Sequence, residues 1–150
     1  MSRLGAVAWA WLPVLAWMAL ILTLSGQSNL PARQNPATGE VIRSTYTLAK
    51  LAHVVEYGVL GLLMLRATTS PSGGLGLAFG RAALWTVVAA TLFGAVDELR
   101  QSLVPNREPR LADVLLDGVS ALVAVCVAVL VRRLRAGRRI ELRVPQPMGE

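Results

Sequence analysis

Apolar residues fall in four long blocks separated by three polar links. The first block, Leu4 to Leu24, runs 21 residues without a charge. At about 1.5 Å of helical rise per residue it is long enough to cross a hydrocarbon core of about 30 Å. Further blocks run from about Leu48 to Leu65, Ala82 to Leu103 and Leu111 to Val131. The pattern predicts an all-α integral membrane bundle of four transmembrane helices. The opening block exceeds the h-region of a signal peptide, and no A-x-A-like site follows it, so an uncleaved helix is expected. The links are turn-forming. Ser25 to Thr47 carries Pro31, Pro36 and Gly39; Asn106 to Arg110 follows Pro105 and contains Pro109. Ala67 to Gly80 holds Gly74, Gly76 and Gly80, but no strand precedes them, so this is a plain linker rather than a phosphate loop.

Polar residues inside the blocks are not scattered. The second block is polar at its start, with Lys50, His53, Glu56 and Tyr57. The third is polar at its finish, with Asp97, Glu98, Arg100 and Gln101, and the fourth at its start, with Asp113 and Asp117. Successive spans reverse direction, so start, finish and start all reach one membrane face. Helical phase strengthens the grouping. At about 100° per residue, Lys50, His53 and Tyr57 share an arc of about 60°, with Glu56 about 60° further round. Asp97, Glu98 and Gln101 span about 100°, and Asp113 lines up with Asp117. A polar pocket open at one leaflet is expected.

Composition excludes a soluble domain: 54% of residues are hydrophobic, 16% are charged, and mean hydropathy is +0.53. An ordinary soluble domain carries about 25% charged residues. The net charge of +6 does not signal nucleic acid, and no nucleic-acid partner is expected. Six of the 15 basic residues (Arg132, Arg133, Arg135, Arg138, Arg139 and Arg143) follow the fourth block directly, where topology-setting charge sits and anionic lipid lies within reach. The chain thus divides into a membrane domain, 1–131, and a basic tail, 132–150. With both termini cytoplasmic, nine basic residues lie inside against six outside, and seven of the nine acidic residues lie outside. The positive-inside rule favours that orientation, which places the polar ends at the extracytoplasmic leaflet. Cys126, alone in an apolar run, has no disulfide partner within the chain.

A charge within a membrane helix costs a few kcal/mol unless it is paired or hydrated, so the cluster needs a reason. Read singly, Lys50 can snorkel, Arg100, Arg107 and Arg110 can be solvated, and Asp113 suits a helix N-terminus. Read together, His53, Glu56, Asp97, Glu98 and Asp117 point to function. His53, Glu56 and carboxylates of two other helices offer ligands for a divalent metal, but one histidine and no H-E-x-x-H spacing make that signal weak, and no metal or cofactor is expected. Lys50, Arg100 and Arg107 beside carboxylates suit an anionic group such as a lipid phosphate. His53 suits acid–base work, with Glu56 or Asp97 beside it. A proton-shuttling ion-pair network is the third option.

The segment Lys50-Leu-Ala-His53-Val-Val-Glu56-Tyr57-Gly-Val-Leu60 resembles the K-x-x-H-x-x-E-Y-x-x-L signature of the VanZ-like family. Asp97-Glu98-Leu-Arg-Gln101, then Pro105-Asn-Arg107 and Asp113, is similar to its second signature, and Ser25-Gly-Gln27 to a short S-x-Q element. The resemblance runs from about residue 25 to 124. It implies a small bacterial multi-pass protein of the cell envelope, in a family whose founding member is associated with low-level teicoplanin resistance and has no established reaction. Lys50, His53, Glu56, Tyr57, Asp97, Glu98, Gln101, Arg107 and Asp113 match the motif. Asp117 stands where Asn is usual, and Ser120 and Ala124 where glycines are usual. Three functions follow: binding of a lipid-linked or glycopeptide-like envelope ligand among membrane lipids, a membrane-embedded enzyme acting on a lipid or glycan phosphate, and a small transporter component.

Overall fold

The computed structural model of the protein describes residues 2–26, 43–71, 74–103 and 110–141. These form four α-helices: α1 (Arg3–Ser25), α2 (Arg43–Thr68), α3 (Phe79–Gln101) and α4 (Leu111–Glu141). All four are long and apolar enough to cross a membrane, and no strand occurs among the described residues. The protein is an all-α, multi-pass membrane bundle.

Each helix begins or ends for a local reason. The Ser2 hydroxyl accepts the Gly5 N–H at 3.2 Å, capping the otherwise unpaired first turn of α1. Thr68 and Thr69 turn their hydroxyls onto the carbonyls of Met64 and Leu65, satisfying the last turn of α2. Gly76, in the connection to α3, takes the left-handed backbone (φ +65°) that a residue with a Cβ disfavours. Asp113 lies in the first turn of α4, where the helix dipole favours an acid.

Two bounds differ from the hydropathy blocks. α2 starts at Arg43, ahead of its apolar stretch, and α4 continues unbroken past Val131 to Glu141. At 31 residues α4 is about 46 Å long, well beyond the hydrocarbon thickness, so its arginine-bearing turns project from the apolar layer. Hydropathy marks where a helix is in lipid; backbone hydrogen bonding carries it further.

α2 lies at the centre, packed chiefly on α4, then on α3 and α1; α3 also packs on α4, and α1 barely touches α3. The core joins Val14 and Ile21 of α1 to Tyr57, Leu60 and Met64 of α2, with Ala90 and Ala121 as small partners from α3 and α4. Outside, Leu51, Leu62, Leu92, Leu115 and Leu122 stand exposed, as suits side chains facing lipid. Small residues let the backbones approach. A Cβ on Gly61 would meet the Ala121 backbone at 3.2 Å, and one on Gly58 would meet the Ala124 Cβ at 3.9 Å. α2 therefore supplies the glycines for the α2–α4 contact, opposite the alanines of α4.

Candidate functional site

The ionisable ends of α2, α3 and α4 meet at one end of the bundle, as the reversal of successive spans requires. Two hydrogen-bonded groups result. Between α2 and α4, Lys50 pairs with Asp113, and His53 Nδ1 lies 2.9 Å from Asp117 Oδ1. The spacing 50–53 on one helix faces 113–117 on the other, so the two pairs form successive rungs. His53 also stacks on Tyr57, with centroids 6.4 Å apart and planes 9° from parallel.

Between α1 and α3, Asp97 is the hub. Its Oδ1 accepts from Ser25 Oγ at 2.7 Å and from Arg100 at 3.1 Å, and its Oδ2 accepts from Gln101 Nε2 at 2.9 Å. Arg100 Nη2 also donates to the Leu22 carbonyl at 2.6 Å and to Ser25 Oγ at 2.7 Å. Leu22 is in the last turn of α1, so a guanidinium here serves a carbonyl near the negative end of that helix. Glu98, next along α3, is buried and accepts the backbone N–H of Arg110, which ties α3 to the start of α4.

Tyr57 lies between the groups. It is fully buried, its hydroxyl has no hydrogen-bond partner among the described residues, and Asp117, Asp97, Glu56 and Glu98 all lie within electrostatic reach. Gly94 of α3 makes room for it. A Cβ there would sit 2.9 Å from Asp117 Oδ2 and 3.3 Å from Tyr57 Cε1. The Glu56 carboxylate is half-buried near His53, Asp97 and Asp117 and has no hydrogen bond or ion pair among the described residues, while its backbone carbonyl accepts from Trp17 Nε1 at 2.9 Å. Among the described residues, no three His, Cys, Asp or Glu side chains gather closely enough to hold a metal ion.

A family model described as VanZ/LLP1 matches residues 9–132. The chain belongs to the VanZ/LLP1 family. Comparison with curated proteins and with solved structures finds no match. Both signature segments of this VanZ-family chain fall inside the matched range. Of their residues, Lys50, His53, Glu56, Tyr57, Asp97, Glu98, Gln101 and Asp113 converge at the polar end together with Asp117; Arg107 and Gln27 lie outside the described residues. Ser120 is not part of the cluster's bonding, since its hydroxyl turns back to the Leu116 carbonyl at 2.6 Å.

Sequence reasoning missed three contributors. Arg100 reads as a solvated charge or as a holder of an anionic group, yet it clamps α1 to α3. Trp17 reads as one more apolar residue, although an indole N–H inside a membrane span always needs an acceptor. Gly94, a lone glycine in an apolar helix, marks the place where Asp117 and Tyr57 press against α3.

Proposed function

We propose that this VanZ-family membrane protein acts in the bacterial cell envelope by binding the polar part of an envelope ligand, glycopeptide-like (teicoplanin-type) or lipid-linked, at the ionisable end of its bundle. The observation that carries the reading is Tyr57: a fully buried hydroxyl without a partner among the described residues, stacked beside His53 and within electrostatic reach of four carboxylates. A scaffold avoids such a group, because an unpaired buried hydroxyl costs about 1–3 kcal/mol. A binding site keeps it in reserve. Five carboxylates against Lys50, Arg100 and His53 suit hydroxyl- and amine-bearing groups better than a bare phosphate. The nine-to-six basic asymmetry supports cytoplasmic termini and therefore a site at the extracytoplasmic leaflet of the cell membrane.

The His53–Asp117 contact favours a second reading. An imidazole oriented by a buried carboxylate is a general acid–base arrangement, suited to an enzyme acting on a lipid or glycan phosphate.

The test is teicoplanin susceptibility of a sensitive bacterium expressing the chain, with the amount of protein in the membrane measured alongside. Wild-type protein is expected to lower susceptibility, and Glu56→Gln to abolish that effect at unchanged membrane level, because the Glu56 carboxylate holds nothing in place. No effect from wild-type protein, or full effect from Glu56→Gln, overturns the proposal. Turnover of a phosphorylated lipid or glycan by purified protein that disappears in His53→Ala decides for the second reading.

A further inference from the structure

At the opposite end of the bundle from the ionisable cluster, the outer face holds an apolar groove between α3 and α4, about 340 Å³ in volume. Leu84 and Val87 form one wall, Leu122, Cys126 and Leu130 the other, and Arg133 closes one end. The positions 122, 126, 130 and 133 recur every three or four residues, so they form one continuous stripe on α4. From Leu122 to Arg133 the helix rises about 16 Å. That is the hydrocarbon depth of a single leaflet, half of about 30 Å. Arg132, beside Arg133, lies over the Phe79 ring, 4.1 Å from its centroid, which sets the start of α3 level with the basic turns of α4. An apolar channel one leaflet deep therefore ends in a guanidinium at headgroup height.

We infer that this groove seats an acyl chain of an anionic phospholipid whose phosphate is held by Arg133. The charge pattern selects this occupant. A second copy packed here in the same orientation would bring its own Arg132, Arg133, Arg135 and Arg138 to the same depth, and like charges would repel. A zwitterionic lipid would fill the channel but bring a phosphate already balanced by its own ammonium group, so its attraction to the guanidinium is weaker. An anionic lipid satisfies both ends, since guanidinium–phosphate pairing is strong and directional. The inference is independent of the ionisable site and of which termini are cytoplasmic.

Cys126, the sole cysteine, is exposed in the groove and is a built-in probe. Labelled there with bimane and reconstituted in phosphatidylcholine vesicles, the protein is expected to be quenched more strongly by a minor fraction of chain-brominated phosphatidylglycerol than by the same fraction of chain-brominated phosphatidylcholine. Arg133→Gln should reduce that preference about fivefold, the effect of one basic residue at a membrane surface. Arg66→Gln, the same charge change at an exposed residue in the last turn of α2, should leave it intact. Because a label can itself crowd the groove, native mass spectrometry of unlabelled protein supplies the second measurement. Phosphatidylglycerol retained by wild-type protein should be lost in Arg133→Gln and in Val87→Trp, which fills the channel. Equal quenching by both lipids overturns the inference, as does an equal loss in Arg66→Gln and Arg133→Gln. Cys126 cross-linking between copies without lipid quenching also overturns it, and identifies a second copy as the occupant.

Discussion

The α1–α3 and α2–α4 contacts at the polar end use the same kinds of residue to different effect. Around Asp97 both carboxylate oxygens accept hydrogen bonds and Arg100 Nη2 reaches on to the end of α1, which leaves the buried Arg100 Nε without a partner among the described residues. Between α2 and α4 Asp113 pairs with Lys50 and Asp117 with His53, and among the described residues bonding capacity is left over on Tyr57 and Glu56. A carboxylate with both oxygens bonded across two helices holds them together. An unsaturated cluster, held open by Gly94 and stacked on His53, has something left to offer a ligand. Charge in a membrane bundle is therefore not by itself a mark of function; what distinguishes the two is how many of the polar atoms are already used.

Three measurements can break or sharpen this contrast. The largest effect is expected for Asp97→Ala, which leaves Ser25, Arg100 and Gln101 without their shared acceptor. Removing one partner of a buried pair costs about 3–5 kcal/mol. The lower end, about 3 kcal/mol, applies because the Arg100 side chain is 36% exposed and can reach water. Thermal unfolding of purified protein in mild detergent should show it as a marked fall in Tm, with less protein in the membrane. A variant as stable as wild type would show that Asp97 is not the clamp.

An intermediate effect is expected at the second rung. A double-mutant cycle of His53→Ala and Asp117→Ala should give a coupling of about 1 kcal/mol, within the range of side-chain hydrogen bonds between membrane helices. Coupling near zero would mean that the 2.9 Å contact contributes nothing to stability and would remove His53 from the paired set.

Tyr57→Phe should have the smallest effect on stability, and with the opposite sign. The substitution removes only a buried hydroxyl that has no partner among the described residues, so stability should stay level or rise by up to about 1 kcal/mol. The teicoplanin phenotype should nonetheless fall. If the variant is instead destabilised by several kcal/mol, the hydroxyl has a structural partner, and the contrast between the two contacts fails.

Much of the architecture was legible in the chain itself. Four apolar runs of membrane length specify four spans, because burying that much hydrocarbon outweighs any other local preference. The reversal of successive spans then brings Lys50, His53, Glu56, Asp97, Glu98, Asp113 and Asp117 to one end, whatever their rotations. The partners were not legible. His53 meets Asp117 rather than the nearby Glu56, Glu98 holds a backbone N–H, and Asp97 belongs to Ser25 and Arg100. Spacing along one helix sets which of its residues share a face, but partner choice depends on the rotation and offset of one helix against another. Those are decided by packing between helices, here by Gly61 on Ala121 and Gly94 beneath Asp117 and Tyr57, contacts of a few ångströms between residues tens of positions apart.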